Sequence, residues 1–322
     1  MSDAIQDMLK LMANLPAGHC VRQLVADIVD ALWVIPNHPK QRKHFVAKSG
    51  NTFILFLRTA QGSRNAGVTF GTSIALVGRC IASLFQGEHG EAEGESLDML
   101  MQIYVDDPWC AARGPPPAVD TTFAMIALLW MILGMPLALH KAHRGTTLTW
   151  TGVQLTVDTD AKTVVAEIPE DKIHELLRLV AQILGDNVIG LKILRTFTGN
   201  IESVASLLYA ARPFIQPLWA ALYADHHKAP MGRAWVKPIS HALSWIQTFL
   251  QEEGPGPLTR TFTLAAYLGQ GRTIRITTDA SPWGIGGYLT IDGEIQSFFA
   301  DKISAEDCEI LEVASGTADG QQ

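Results

Sequence analysis

The stretch MQIYVDDPW, residues 101–109, carries an apolar run directly into two adjacent aspartates and then a proline. Only 18% of the chain is charged and 48% is hydrophobic, so an acidic pair at the end of a core-forming run needs a physical reason. Neighbouring side chains on a strand point to opposite faces, but at a tight turn both carboxylates can approach one cation. Carboxylates that close repel one another unless a cation neutralises them, and an oxygen-rich cluster with room for phosphate oxygens suits Mg2+. A third carboxylate would complete a two-metal site for in-line phosphoryl displacement, and Asp27, at the end of another apolar run, is the natural candidate. The same letters also read as an ordinary turn, with Asp106 and Asp107 before Pro108 and with Asp27 and Asp30 capping a following helix. Spacing alone leaves both readings open.

Composition narrows the classes. A chain of 322 residues has room for two or three domains and at least one sizeable core. Its net charge of −7 repels a polyanion in bulk, so any nucleic-acid reading rests on local patches. Lys40, Arg42, Lys43, Lys48, Arg58 and Arg64 supply one such patch, or else the solvated face of a hairpin. Cys20, Cys80, Cys110 and Cys308 lie far apart without CxxC or zinc-type spacing, which predicts a reduced intracellular compartment, cytoplasmic or nuclear, and no structural metal. The N-terminus lacks the basic and apolar regions of a secretory signal. The uncharged run 123–139 is short for a bilayer span and carries Pro136, so it reads as a core helix and no membrane partner is expected.

Outward from the aspartates, residues 21–36 begin as a strand, and a basic turn then leads to the β-rich NTFILFL. Residues 71–85 place Ile74, Val77, Ile81 and Leu84 at helical spacing, and the glycine-rich acidic QGEHGEAEGE reads as a loop. RGPPPAVD reads as a loop before the apolar helix, and residues 141–169 alternate like a pair of strands with turn chemistry at DTDAK. Pro169 opens a helix with Ile173, Leu176, Leu177 and Val180 on one face. Helical segments continue to about residue 250, their Trp219, Tyr223, Trp235 and Trp245 reading as core aromatics. After the linker EEGPGP the chain turns strand-rich. The layout is mixed α/β, then mostly helical, then the start of a second α/β unit.

The motifs, taken in order, resemble reverse transcriptases. YVDD (104–107) is similar to their Tyr-x-Asp-Asp signature, ADIVDALWVIPNHPKQRKHFV (26–46) to the first palm block and AQGSRNAGVTF (60–70) to the second. LALHKAHRG (137–145) and LTWTGVQLTVD (148–158) resemble the lysine-bearing block and the primer-gripping hairpin that follow. IRITTDASPWGIGGYL (274–289) looks like the opening of a ribonuclease H domain, and residues 299–322 resemble the same region of tyrosine-recombinase-type (DIRS-like) retrotransposon polyproteins.

The resemblance implies an α+β fold: a palm with partial fingers over 1–165, an antiparallel sheet with helices on one face; a helical thumb or connection over 166–258; and a truncated ribonuclease H-like α/β unit over 259–322. It implies RNA-directed DNA polymerase activity by two-metal catalysis with Mg2+ or Mn2+, acting on an RNA or DNA template-primer duplex and deoxynucleoside triphosphates. Asp27, Asp106 and Asp107 are then the metal ligands, and Lys141 donates a proton to the leaving pyrophosphate. Ile28, Leu32, Gln61, Gly62 and Tyr104 line the nucleotide site, and Asp279 is the ribonuclease H-like metal ligand.

Three departures qualify the pattern. Only 26 residues precede Asp27, where the family carries basic fingers. Leu32 stands where the family places a Tyr or Phe against the ribose 2′-hydroxyl. The chain stops at Gln322, before the next nuclease acid, and Glu306, Asp307, Glu309 and Glu312 are misplaced for that role. The alternative is a catalytically silent palm-fold remnant that binds nucleic acid or acts as a scaffold. An unrelated phosphotransferase has no GxxxxGK[ST] loop to support it.

Overall fold

The computed structural model describes residues 2–85, 99–224, 230–251, 258–281 and 283–310. The acidic loop 86–95, the linker 252–257 and the tail from 311, with Glu312, lie outside the described residues. The chain divides into two compact units, Met1–Leu264 and Ala265–Gln322.

In the first unit, helix α1 (Ser2–Met12) buries Ala4, Ile5, Met8, Leu9, Leu11 and Met12, a spacing that lays one apolar stripe along the helix. Strand β1 (Cys20–Val25) follows, then the exposed hairpin of β2 (Val46–Ser49) and β3 (Thr52–Leu55), with Lys48 over the ring of Phe53. Helix α2 (Ala66–Ser83) leads to β4 (Met99–Tyr104) and β5 (Asp107–Gly114). Helix α3 (Pro116–Ile132) starts inside the stretch read as a loop, because a proline in the first helical turn has no N–H that the helix needs there. It ends at Ile132, so the apolar run 123–139 is helical only in part.

Strands β6 (His143–Gly145), β7 (Thr147–Trp150), β8 (Val153–Asp158) and β9 (Thr163–Glu167) come next, with Asp158 accepting the amides of Asp160 and Ala161 at the expected turn. The helical part comprises α4 (Glu170–Leu184), α5 (Leu191–Leu207), α6 (Arg212–Tyr223) and α7 (Ser240–Leu250), with a small ladder of β10 (Val188–Gly190) and β11 (Arg233–Trp235). Trp245 packs between Phe214 and Phe249 as a core aromatic does, and Trp219 is partly buried, whereas Tyr223 and Trp235 are exposed.

Two antiparallel sheets organise the first unit. One has the order β4-β5-β1-β6. Its central strand β5 is buried on both faces, which is why its sequence does not alternate. Cys110 and Ala112 face a core with Phe70, Ile74 and Ile81 of α2 and Phe123, Ile126 and Trp130 of α3. Trp109 and Ala111 face a second core, shared with α1, with the other sheet and with α4 to α7. The expected helices on one face are therefore present, and α1 covers the other. Helix α2 has the length and composition to cross a bilayer, and in the fold its buried residues pack on β4 and α3. It approaches β4 closely at Gly78, where a Cβ would strike the Ile103 side chain.

The second sheet runs β12-β9-β8-β7, with β12 (Thr259–Thr263) paired along its length to β9. The segment expected to open the C-terminal domain at 259 thus belongs to the first unit, and the division falls after Leu264. The sequence conceals this because pairing to a strand almost a hundred residues earlier leaves no local pattern.

After the short helix α8 (Leu264–Tyr267), the second unit is a meander of β13 (Ile274–Ser281), β14 (Gly284–Ile291) and β15 (Glu294–Lys302), closed by helix α9 (Ala305–Ile310). Ser304 and Asp307 cap α9 reciprocally: the Asp307 carboxylate accepts from the Ser304 amide and hydroxyl, and Ser304 Oγ accepts the Asp307 amide. These bonds hold the Asp307 carboxyl below its usual range, so it serves the helix start.

Gln23 ties the two sheets together from a fully buried position in β1. Its amide nitrogen donates to the carbonyls of Thr146 and Leu155, both at 3.0 Å, and its oxygen accepts the Trp109 indole N–H at 3.0 Å. Gln23→Leu keeps the volume and strands three buried polar groups, so it should cost about 3 kcal/mol of unfolding free energy in a denaturant titration. A loss under about 1 kcal/mol would show that the network contributes little.

Candidate active site

Main-chain hydrogen bonds set the frame of the site. Beyond β1 the backbone continues extended between two neighbours. The amide of Ala26 donates to the Pro108 carbonyl at 3.1 Å and that of Ile28 to the Asp106 carbonyl at 3.0 Å. On the other side, the Ala138 amide donates to the Asp27 carbonyl and the Val29 amide to that of Pro136, both at 2.8 Å, and Ile28 bridges Leu137. Asp27 is thereby held between the turn carrying Asp106 and Asp107 and the segment carrying Lys141.

The turn itself is tight. Tyr104 pairs with Asp107, leaving Val105 and Asp106 as the two loop residues, and Val105 has φ 54°. A β-branched residue in the left-handed region is strained, by about 1–3 kcal/mol, and such strain is characteristic of functional turns. The short 3-10 turn Leu139–Lys141 brings Lys141 Nζ to 2.7 Å from Asp27 Oδ2.

The electrostatics follow from this packing. The Asp107 carboxyl is pushed above its usual range, first by burial and then by the charges of Asp106 and Asp27, with Lys141 opposing. The Lys141 ammonium is held above its usual range by its hydrogen bond to Asp27, with smaller help from Asp107 and Asp106. Lys141 pairs with Asp27 alone, while Asp106 and Asp107 act on it through their charge, which leaves the cluster with an excess of negative charge. Hard oxygen donors fit Mg2+ or Mn2+. Among the described residues, no three carboxylate, imidazole or thiolate side chains are already drawn together to hold a metal ion; the cation on Asp27 is Lys141.

The other expected residues are distributed unevenly. Tyr104 ends β4 with its side chain exposed, and Ile28 is buried with its amide on Asp106. Leu32 lies in the 3-10 turn Ala31–Val34 and packs on the core behind α2. Gln61 and Gly62 form an exposed turn ahead of α2, Gly62 with φ 85°, and among the described residues no hydrogen bond ties them to the carboxylates. Asp279 is on β13 in the second unit, exposed and accepting its neighbour Ala280's amide.

Sequence reading missed Trp150, whose buried indole donates to the Asp107 carbonyl at 3.1 Å. The available signal was a tryptophan directly before a Thr-Gly turn. It also missed Gln23, a polar residue inside an apolar run.

Comparison with protein-family profiles and with curated protein sequences gives no match. In fold, the chain is similar to a foamy viral protease-reverse transcriptase, described as dRH and in complex with double-stranded DNA. The TM-score is 0.50 at 13% identity over 92% of this chain and 45% of that one. The fold is reverse-transcriptase-like. A foamy viral protease-reverse transcriptase in complex with an RNA/DNA hybrid gives a TM-score of 0.49 at 13% identity, over 93% of this chain and 35% of that one. The chain therefore spans less than half the length of these two relatives. Mixed α and β structure with antiparallel sheets is consistent with a palm-and-thumb arrangement, and at this identity the likeness concerns fold alone.

Because folding raises the affinity of Asp107 for its proton, this group favours the native state most below its unfolded pKa of about 4. That contribution is lost as pH rises through the elevated native value. Asp107→Asn cannot ionise, so its stability relative to wild type should grow as pH is taken from about 4 to 7, measured by urea unfolding at each pH. A constant difference across that range would show that burial and the acidic neighbours do not raise the Asp107 carboxyl.

Proposed function

We propose that the chain is the polymerase part of a retroelement reverse transcriptase, which extends a primer on an RNA or DNA template from deoxynucleoside triphosphates. One observation carries this reading: Asp27, the adjacent pair Asp106 and Asp107, and Lys141, from three separate parts of the sequence, share one electrostatic cluster at a turn of a reverse-transcriptase-like fold. In this reading residues 1–165 act as palm with partial fingers, the helices after 166 as thumb or connection, and the β13–β15 meander as the opening of a ribonuclease H-like domain with Asp279 as its first acid. The retention of Asp307 by the α9 cap supports leaving it out of any nuclease site. The tyrosine-recombinase-type assignment rests on the sequence of the C-terminal tail. Four unpaired cysteines support an intracellular setting.

Asp27, Asp106 and Asp107 would hold Mg2+ or Mn2+, which when bound supplies an acidified primer 3′-hydroxyl and neutralises the leaving pyrophosphate. Lys141, charged throughout the neutral range, has a proton to give to that pyrophosphate once it leaves Asp27. The exposed side chain of Tyr104 stands beside the carboxylates, available to the incoming nucleotide. Gln61 and Gly62, on their exposed turn, would line the nucleotide site.

The silent palm-fold remnant is favoured by one observation, the Lys141 ion pair with Asp27 in place of three converged carboxylates. Primer extension with Mg2+ or Mn2+ separates the two. Extension by wild type, lost in Asp27→Asn and Asp106→Asn with the folded circular-dichroism spectrum retained, is the expected outcome. Duplex binding without any extension would establish the remnant.

A further inference from the structure

The β7–β8 hairpin reaches the carboxylate turn through a single side chain. Its two-residue loop, Thr151 with φ 50° and Gly152 with φ 78°, has the left-handed pair that a tight hairpin requires. Immediately before it, Trp150 is 5% exposed, stacks on Trp109 of β5 at 5.7 Å between ring centroids, and donates its indole N–H to the Asp107 carbonyl. Trp109 is itself fixed by Gln23, so the stacked pair is held at both ends.

The loop is also anchored from the helices. Lys172 of α4 donates to the Gly152 carbonyl at 3.2 Å and to Ser203 Oγ of α5 at 2.5 Å. It lies so close over Gly152 that a Cβ there would meet its Nζ. Burial lowers the Lys172 pKa, in keeping with an ammonium enclosed between a turn and two helices. A series of contacts thus runs from α4 and α5 through the 151–152 loop to Trp150, and from its N–H to the backbone of Asp107.

We propose that Trp150 is a positioning residue, whose indole N–H sets the height of the Asp106–Asp107 turn against Asp27. Its consequence for cation binding rests on the polymerase reading given above, whereas its effect on the turn does not. Packing alone would require only an aromatic ring at 150. The hydrogen bond adds a direction that a phenyl group lacks.

Two variants remove that bond: Trp150→Phe, and benzothienylalanine at 150, which keeps the bicyclic ring and lacks the N–H. In both, amide exchange of Ile28, whose N–H is bound to the Asp106 carbonyl, should speed up about tenfold while the melting temperature stays within a few degrees of wild type. Mn2+ affinity, followed by electron paramagnetic resonance, should fall about tenfold as for other groups that orient a metal ligand. Ile28 exchange at the wild-type rate in the benzothienylalanine protein overturns the proposal. A wild type that binds no Mn2+ would instead sink the two-metal reading, with the exchange rates still deciding the role of Trp150.

Discussion

Everything at the acidic tip depends on one strip of main chain, residues 26–29, hydrogen-bonded on one side to 106–108 and on the other to 136–138. Peptide groups pair without regard to side-chain identity, so this strip can hold Asp27 beside the Asp106–Asp107 turn despite their like charge. The favourable terms that hold it are burial and backbone pairing in the sheet behind it. The unfavourable term is local: desolvated like charges at Asp107, only partly offset by Lys141. Such a charged cluster lowers stability locally.

The two cores flanking the β4-β5-β1-β6 sheet divide the work. The core under α2 and α3 supports β4 and the turn from one side. The larger core continues from α1 through the second sheet into α4 to α7, so the helices and the carboxylate-bearing hairpin share one apolar interior. That continuity lets a lysine on α4 act, through a glycine turn and a tryptophan, on the backbone beside an aspartate.

Much of this could be read from the letters. The apolar run ending in Tyr104 to Asp107, the strand before Asp27 and the amphipathic start of α4 each carried a local period or a turn residue, and the structure forms a hairpin, a strand and a helix there. Pro116 was misread as loop because proline in a first turn looks like proline in a turn. Strand β12 was assigned to the wrong unit because its partner lies in β9. Tyr223 and Trp235 were read as core, but aromatic identity alone does not specify a face. At the site, the acids and Lys141 could be named from ordered motifs, whereas the contacts of Trp150 and Gln23 require three-dimensional neighbours that no spacing encodes.

Val105 sits between the tyrosine and the aspartates with its side chain more than half exposed, in a backbone conformation that opposes its branched Cβ. Among the described residues it belongs to neither apolar core, and it has no charge to contribute. It is therefore a placeholder, whose backbone bend matters and whose side-chain chemistry is nearly free. Among descendants of this sequence, drift should gather at that letter while its neighbours stay fixed, and an unbranched or glycine replacement would ease the bend without disturbing the acids on either side.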